Sequence, residues 1–178
     1  MGIRSFENKR PQLGAGTWVD ESAQVIGDVV LGADCSVWPC AVIRGDMHQI
    51  RIGDRVSVQD NAVLHITHDS SFNPGGFGLS VGDDVTLAHQ VMLHGCTVGS
   101  RVMIGMQAIV MDGAVIEDEV ILAAGSLVSP GKRLQSGFLY RGRPAVPVRA
   151  LTEEERVFLS YVAGNYVKLK DRYIAEES

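Results

Sequence analysis

The chain has 178 residues, which at roughly 150 residues per domain predicts one domain and leaves no room for a multidomain machine. Hydrophobic residues make up 46% and charged residues 21%, so neither a disordered tail nor a charge-dominated coiled coil fits. A formal net charge of -5 argues against a surface that condenses on phosphate backbones, and no nucleic-acid partner is expected.

The opening stretch Met1-Gly2-Ile3-Arg4-Ser5-Phe6 lacks an apolar segment of signal-peptide length, and Phe6 stands where a myristoylation start needs Ser or Thr. No apolar run is long enough to cross a bilayer, so a cytoplasmic protein without a membrane partner is expected. Cys35, Cys40 and Cys96 cannot pair completely and follow no metal-binding spacing; they read as small buried thiols in a reducing compartment.

From Val19 onward an aliphatic residue recurs at intervals of six: Val19, Val25, Leu31, Val37 and Ile43, then Ile52, Val58 and Leu64, then Val81, Leu87 and Leu93. A last run follows as Val98, Ile104, Val110, Ile116, Leu122 and Val128. Four places after most anchors stands a second small or aliphatic side chain, among them Val29, Cys35, Ala62, Val85, Ala108 and Val120. Helices would show spacings of three and four, and ordinary strands strict alternation, so this period marks an all-β solenoid of short strands. An aromatic content of 6% beside 20 glycines suits the same architecture. Ile52-Gly53-Asp54, Val81-Gly82-Asp83 and Val98-Gly99-Ser100 place glycine where sharp turns are expected.

The period breaks between Ile43 and Ile52, between Leu93 and Val98, and between Leu64 and Val81. The last break holds Asp69-Ser70-Ser71-Phe72-Asn73-Pro74-Gly75-Gly76, which predicts a loop over 69–80 protruding from a coil body over 17–130. Beyond Pro130, Pro144 and Pro147, the run Thr152-Glu153-Glu154-Glu155 is a capping box. It predicts a C-terminal helix over 152–175 with Phe158, Val162, Tyr166, Leu169 and Tyr173 on its packed face. The whole of 1–178 reads as a single domain.

This pattern resembles the hexapeptide-repeat proteins, which implies a left-handed parallel β-helix with three hexads per coil and five to six coils. Counting three hexads per coil then says which residues stack. Arg44, His65 and His94 each follow an anchor of the same column, so they share one face. Strand layers about 4.8 Å apart let two stacked imidazoles converge on one metal. His89 lies on the adjacent face, directly under Asp60. One chain does not easily carry His89 round the prism edge to His65 and His94, whereas a neighbour in a threefold ring does. A lone histidine on a solvated face is most often plain polar surface, and His48 and His68 keep that reading.

Arg44-Gly45-Asp46, Gln59-Asp60, Leu64-His65 and the stretch from Leu87 to Cys96 resemble the γ-class carbonic anhydrase-like family. The ending Gly137-Phe138-Leu139-Tyr140 with Asn165-Tyr166-Val167-Lys168 resembles its bacterial YrdA-like branch. The resemblance implies a homotrimer in which His65 and His94 of one subunit and His89 of the next bind Zn2+ or Fe2+, one per chain. Gln59 would orient a metal-bound hydroxide, while Arg44, Asp46 and Asp60 would tie subunits together by ion pairing. The implied reaction is reversible hydration of CO2 to bicarbonate. Met47 replaces the family's glutamate after Arg-Gly-Asp, Ser57 an asparagine, and the loop keeps only Asp69 as an acid, which predicts slow proton exit and weak or absent turnover. Two other readings stay open. One is a hexapeptide acyltransferase gripping coenzyme A phosphates with Lys132, Arg133, Arg141, Arg143 and Arg149; the other is a non-catalytic metal-binding assembly subunit.

Overall fold

The structure, a computed structural model, describes residues 2–176. Short parallel strands follow one another round a three-sided coil whose interior is filled by the hexad anchors. Every anchor from Val19 to Val128 is buried, as are their companions such as Cys35, Ala62, Val85 and Ala108. β-branched and small side chains fit this interior because each strand contributes one inward position per coil layer. The fold is a left-handed parallel β-helix closed by one C-terminal helix.

One face stacks seven parallel strands in chain order: Trp18–Val19, Ser36–Val37, Ser57–Val58, Thr86–Leu87, Met103–Ile104, Ile121–Leu122 and Phe138–Arg141. The coil is therefore longer than five to six layers and runs past both limits of 17–130. Gly2–Arg4 pairs with Gln24–Ile26 at one end, and Arg133–Leu134 with Val115–Ile116 at the other. Leu134 continues the six-residue period from Val128 and is fully buried, so the hexad series extends one anchor further than the count that stopped at Val128; Ile3 packs against the core from the other end. The other two faces merge into one sheet, since Gln24–Leu31 and Val42–Ile52 run unbroken round a shared edge.

The breaks in period are insertions at coil edges. Gly27 pairs with Gly45 but Val29 with Ile50, so three residues are added around Asp46, Met47 and His48. The long break forms a hairpin closed by paired hydrogen bonds between Thr67 and Phe77, at 3.0 and 2.9 Å. Its far limit falls short of residue 80, because Leu79–Val81 has already rejoined the sheet beside Ile50–Ile52.

The sharp turns are not at Gly53, Gly82 and Gly99. Left-handed backbone falls instead on Asp34, Arg55, Asp84, Arg101 and Glu119, with φ of 53 to 57°. One such residue stands in each coil, and its amide donates to the carbonyl of the layer before, as Arg55 to Ala33 at 2.8 Å. The preceding glycines serve close approach: a Cβ on Gly53 would meet the Gly82 carbonyl carbon at 2.8 Å. Ion pairs staple the same edge, Arg55 to Asp84 at 2.7 Å and Arg101 to Glu119 at 3.1 Å.

The helix spans Glu153–Glu176. Its capping box is complete, with the Glu155 amide donating to Thr152 Oγ1 at 3.2 Å and the Thr152 amide to Glu155 Oε2 at 2.9 Å. The packed face is shifted from the expected one. Leu159, Ala163 and Lys170 are buried, while Phe158 is exposed beside Tyr161. Tyr166 and Tyr173 do pack, stacking on Trp38 with ring centroids 5.9 and 5.3 Å away. Lys170 enters this face because Asp34 meets its Nζ at 3.1 Å, with Asp171 as a second partner. Two carboxylates thus offset the cost of burying its charge.

Cys35 and Cys96 are buried, and burial pushes their thiols up to about 11 and about 12. Cys40 is exposed, contrary to expectation, because it occupies a left-handed edge position rather than a strand. No described helix is long and apolar enough to cross a membrane.

Candidate metal centre

His65 and His94 are directly paired across adjacent strands Val63–His65 and Met92–His94. Parallel register points both side chains out of the same face, and His65 Nδ1 comes to 3.1 Å from His94 Nε2. Each ring is held from behind. His65 Nε2 donates to Asp46 Oδ1 at 3.1 Å, and His94 Nδ1 donates to Asp112 Oδ1 at 2.7 Å.

The carboxylates only accept, so each outer nitrogen carries its ring's proton and the two facing nitrogens present lone pairs to each other. Two lone pairs at 3.1 Å repel unless a proton or a cation lies between them. Two nitrogens bound to one tetrahedral ion at about 2.0–2.1 Å would stand about 3.3 Å apart, close to this spacing. The donor set therefore fits a borderline metal such as Zn2+ or Fe2+. Burial holds the His65 pKa below its ordinary value, against the pull of the Asp46 hydrogen bond, and so favours the neutral ligand form.

Asp46 sits at the centre of this support. Burial raises its pKa, but hydrogen bonds from Arg44 and His65 outweigh that and hold it below the usual carboxylate range. Within one chain Arg44 pairs with Asp46, and Asp60 with His89 Nδ1 at 2.9 Å. His89 stands on the neighbouring face, its side chain 50% exposed, and is held through Nδ1. No group of three or more histidine, cysteine or acidic side chains able to hold a metal occurs within the described residues of one chain.

Gln59 is buried and hydrogen-bonded to the Tyr166 phenol, whose pKa burial raises. A cavity of about 170 Å3 lies between the helix and this face, lined by Gln59, Thr86, His89, Met103, Met106 and Tyr166 among others. Thr86 Oγ1 is buried there without a hydrogen-bond partner. Ser57 accepts the Trp38 indole proton at 2.9 Å. His48 is a hairpin fastener, its Nε2 3.3 Å from the Gly75 carbonyl. His68 is exposed at the hairpin base.

Sequence reasoning passed over Asp112. The stacking rule that found the histidines points to Met111 instead, because Leu93 pairs with Val110 in a coil one residue short of eighteen; Asp112 lies one place further on and reaches His94 from the coil edge. Of the basic residues considered for phosphate binding, Arg133 is paired with Glu117 at 2.6 Å and Arg149 with Glu155 at 2.7 Å. Arg143 donates to the Gly125 carbonyl.

The pattern described as Bacterial transferase hexapeptide (six repeats) matches residues 10–45 and 95–130. The chain is 51% identical over 172 residues to Protein YrdA of Escherichia coli (strain K12), covering 97% of this chain and 94% of that one. It is 41% identical to a carbonic anhydrase of Geobacillus kaustophilus, covering 93% and 91%. Among solved structures, a hexapeptide transferase family protein from Anaplasma phagocytophilum superposes with a TM-score of 0.88 at 38% identity, covering 96% of this chain and 97% of that one. The chain belongs to the γ-class carbonic anhydrase-like hexapeptide-repeat family, in its YrdA-like branch.

Proposed function

We propose that this chain is a cytoplasmic homotrimer that binds one Zn2+ or Fe2+ per chain and hydrates CO2 reversibly to bicarbonate. His65 and His94 of one subunit and His89 of the next would hold the ion. The observation that carries this reading is the facing pair of imidazole nitrogens at 3.1 Å, each ring braced by a carboxylate. Free cysteines support the compartment.

When bound, such an ion with three neutral imidazoles keeps its full charge and brings the pKa of a coordinated water to near 7. The chain's own residues do the rest. Asp46 and Asp112 fix the tautomers and orientations of His65 and His94, and Asp60 does so for His89. Gln59, held by Tyr166, presents a fixed amide dipole beside His89 and orients the attacking oxygen. Arg44, 41% exposed, has room to pair with a carboxylate of the partner subunit.

Proton exit is the slow step. Met47, 49% exposed, offers no carboxylate, and Asp69 uses Oδ1 to accept from the Gly75 amide at 2.7 Å inside the hairpin. Acyl transfer is less well supported, since Arg133 and Arg149 are already paired within the chain. Anaerobic metal analysis joined to a stopped-flow hydration assay tests the proposal. One metal per chain with buffer-dependent hydration supports it. A metal-free protein that releases thiol from acyl-coenzyme A favours acyl transfer, and full metal without hydration favours the non-catalytic assembly role.

A further inference from the structure

The hairpin between Thr67 and Phe77 carries Phe72 at its tip, 92% exposed. The segment around it is tightly bonded. The Ser70 and Asn73 amides each donate to the other's carbonyl at 3.1 Å, Gly75 donates to Asp69 at 2.7 Å, and Thr67 Oγ1 donates to Asp112 Oδ2 at 2.8 Å. These bonds order the hairpin, so the phenyl ring is held at a fixed place beyond the coil face.

The direction in which the hairpin leans is fixed by what it touches. It leaves the body at His65, and Phe77 lies against Gly95 and Gly113, where an added Cβ would come within 2.7 and 3.1 Å of it. Asn73, next to Phe72, borders a hollow with Gly113, Pro130 and Gly131. The hairpin thus spans the His94 layer and the two layers beyond it.

A second hollow, of about 530 Å3, begins at His89 on the adjacent face and runs through Met106 and Gln107 to Ala124 and Gly125. The amide of Gln107 donates to the His89 carbonyl, and that of Gly125 to the Met106 carbonyl, so these residues also occupy the His94 layer and the next two. Met106, 53% exposed, forms its apolar wall.

We propose that Phe72 of one subunit seats in the His89–Gly125 hollow of the next. This contact rests on the shared metal site proposed above. If His89 of the partner subunit reaches His65 and His94 in a cyclic ring, the coils stand level, and hairpin and hollow face each other over the same three layers. Five residues from Thr67 to Phe72 span at most about 18 Å when extended, an upper bound that exceeds two layer steps of about 4.8 Å. The partner supplied by this chemistry is therefore a second copy of this chain.

The test replaces Phe72 with photoreactive p-benzoylphenylalanine, mixes that chain with isotopically labelled wild type, irradiates, and maps cross-links by mass spectrometry beside sedimentation of the same sample. Cross-links from position 72 to Met106 or its neighbours in the labelled chain are expected. In a sample that sediments as a trimer, cross-links elsewhere, only within one chain, or not at all would overturn the contact while leaving the shared site standing. A monomer would overturn both. Phe72→Ser should in addition raise the subunit dissociation constant about tenfold or more, since it removes one buried ring per interface. Unchanged association would equally reject the contact.

Discussion

Asp112 accepts the His94 Nδ1 proton at 2.7 Å through one carboxylate oxygen and takes the Thr67 hydroxyl through the other. The same side chain thus aims a proposed ligand and ties down the hairpin. Asp112→Asn keeps the size but removes the charge that makes His94 a better donor, so metal affinity should fall about 10- to 100-fold. Chelator competition measures this. Affinity unchanged from wild type would mean that Asp112 serves the hairpin alone.

Lys170 is nearly enclosed at the helix interface, with Asp34 and Asp171 as its ion partners. Lys170→Ala removes both partners' counter-charge and the stem that fills the interface. Because Asp34 and Asp171 remain about half exposed, the loss should be about 1–3 kcal/mol, below that of a fully buried pair. Urea unfolding gives the value. Emission from Trp18 and Trp38, which pack against Tyr173, should shift with helix release.

Leu122 is wholly buried among the stacked anchors. Leu122→Ala should cost about 2–5 kcal/mol through lost burial and a residual cavity. Val157→Ala, on the exposed side of the helix, should change stability by less than about 0.5 kcal/mol. Equal effects at the two positions would contradict the assignment of inward and outward faces.

Hydrogen bonds from Arg149 and the Thr152 amide hold the Glu155 carboxyl down to about 2. Its folded pKa lies below the unfolded value of about 4.3, so its contribution is present above that value and is lost as pH falls toward 2. Protection of the first-turn amides, taken relative to their intrinsic exchange rates, should therefore fall as pH drops toward 2, and Glu155→Gln should remove that pH dependence. An acid response retained in Glu155→Gln would assign it to other carboxylates.

The stacking of His65 on His94, and of His89 under Asp60, was legible in the sequence because a solenoid converts spacing into position. Hexads plus one coil length place side chains in columns once the Leu64–Val81 break is taken to add no hexad to the body, and the pairing of Leu64 with Leu93 has that register. The count stopped too early at Val128, since Leu134 is the next anchor and is fully buried, and it missed Gly2–Arg4, where Ile3 is separated from the regular series by the irregular stretch before Val19. It also misjudged Gly53 and its counterparts. Glycine before Asp or Ser looks like a turn residue, yet here it is selected by the nearness of the next coil, and Arg55, Asp84 and Arg101 carry the left-handed backbone. Lys170 takes an inward place that the apolar spacing gave to Leu169, because helical spacing alone does not reveal that Asp34 receives a lysine there.

The division of ligands between chains is tested most directly by mixing mutants. Each proposed site takes His65 and His94 from one subunit and His89 from the next, so random trimers of equal His65→Ala and His89→Ala chains should regain roughly one quarter of wild-type metal. Equal amounts of His65→Ala and His94→Ala should regain none, because both lesions lie on the same contributing face. Metal content after confirmed subunit exchange decides the matter: a quarter against zero is the predicted outcome, and equal recovery in the two mixtures, or none in either, would contradict a site shared in this way.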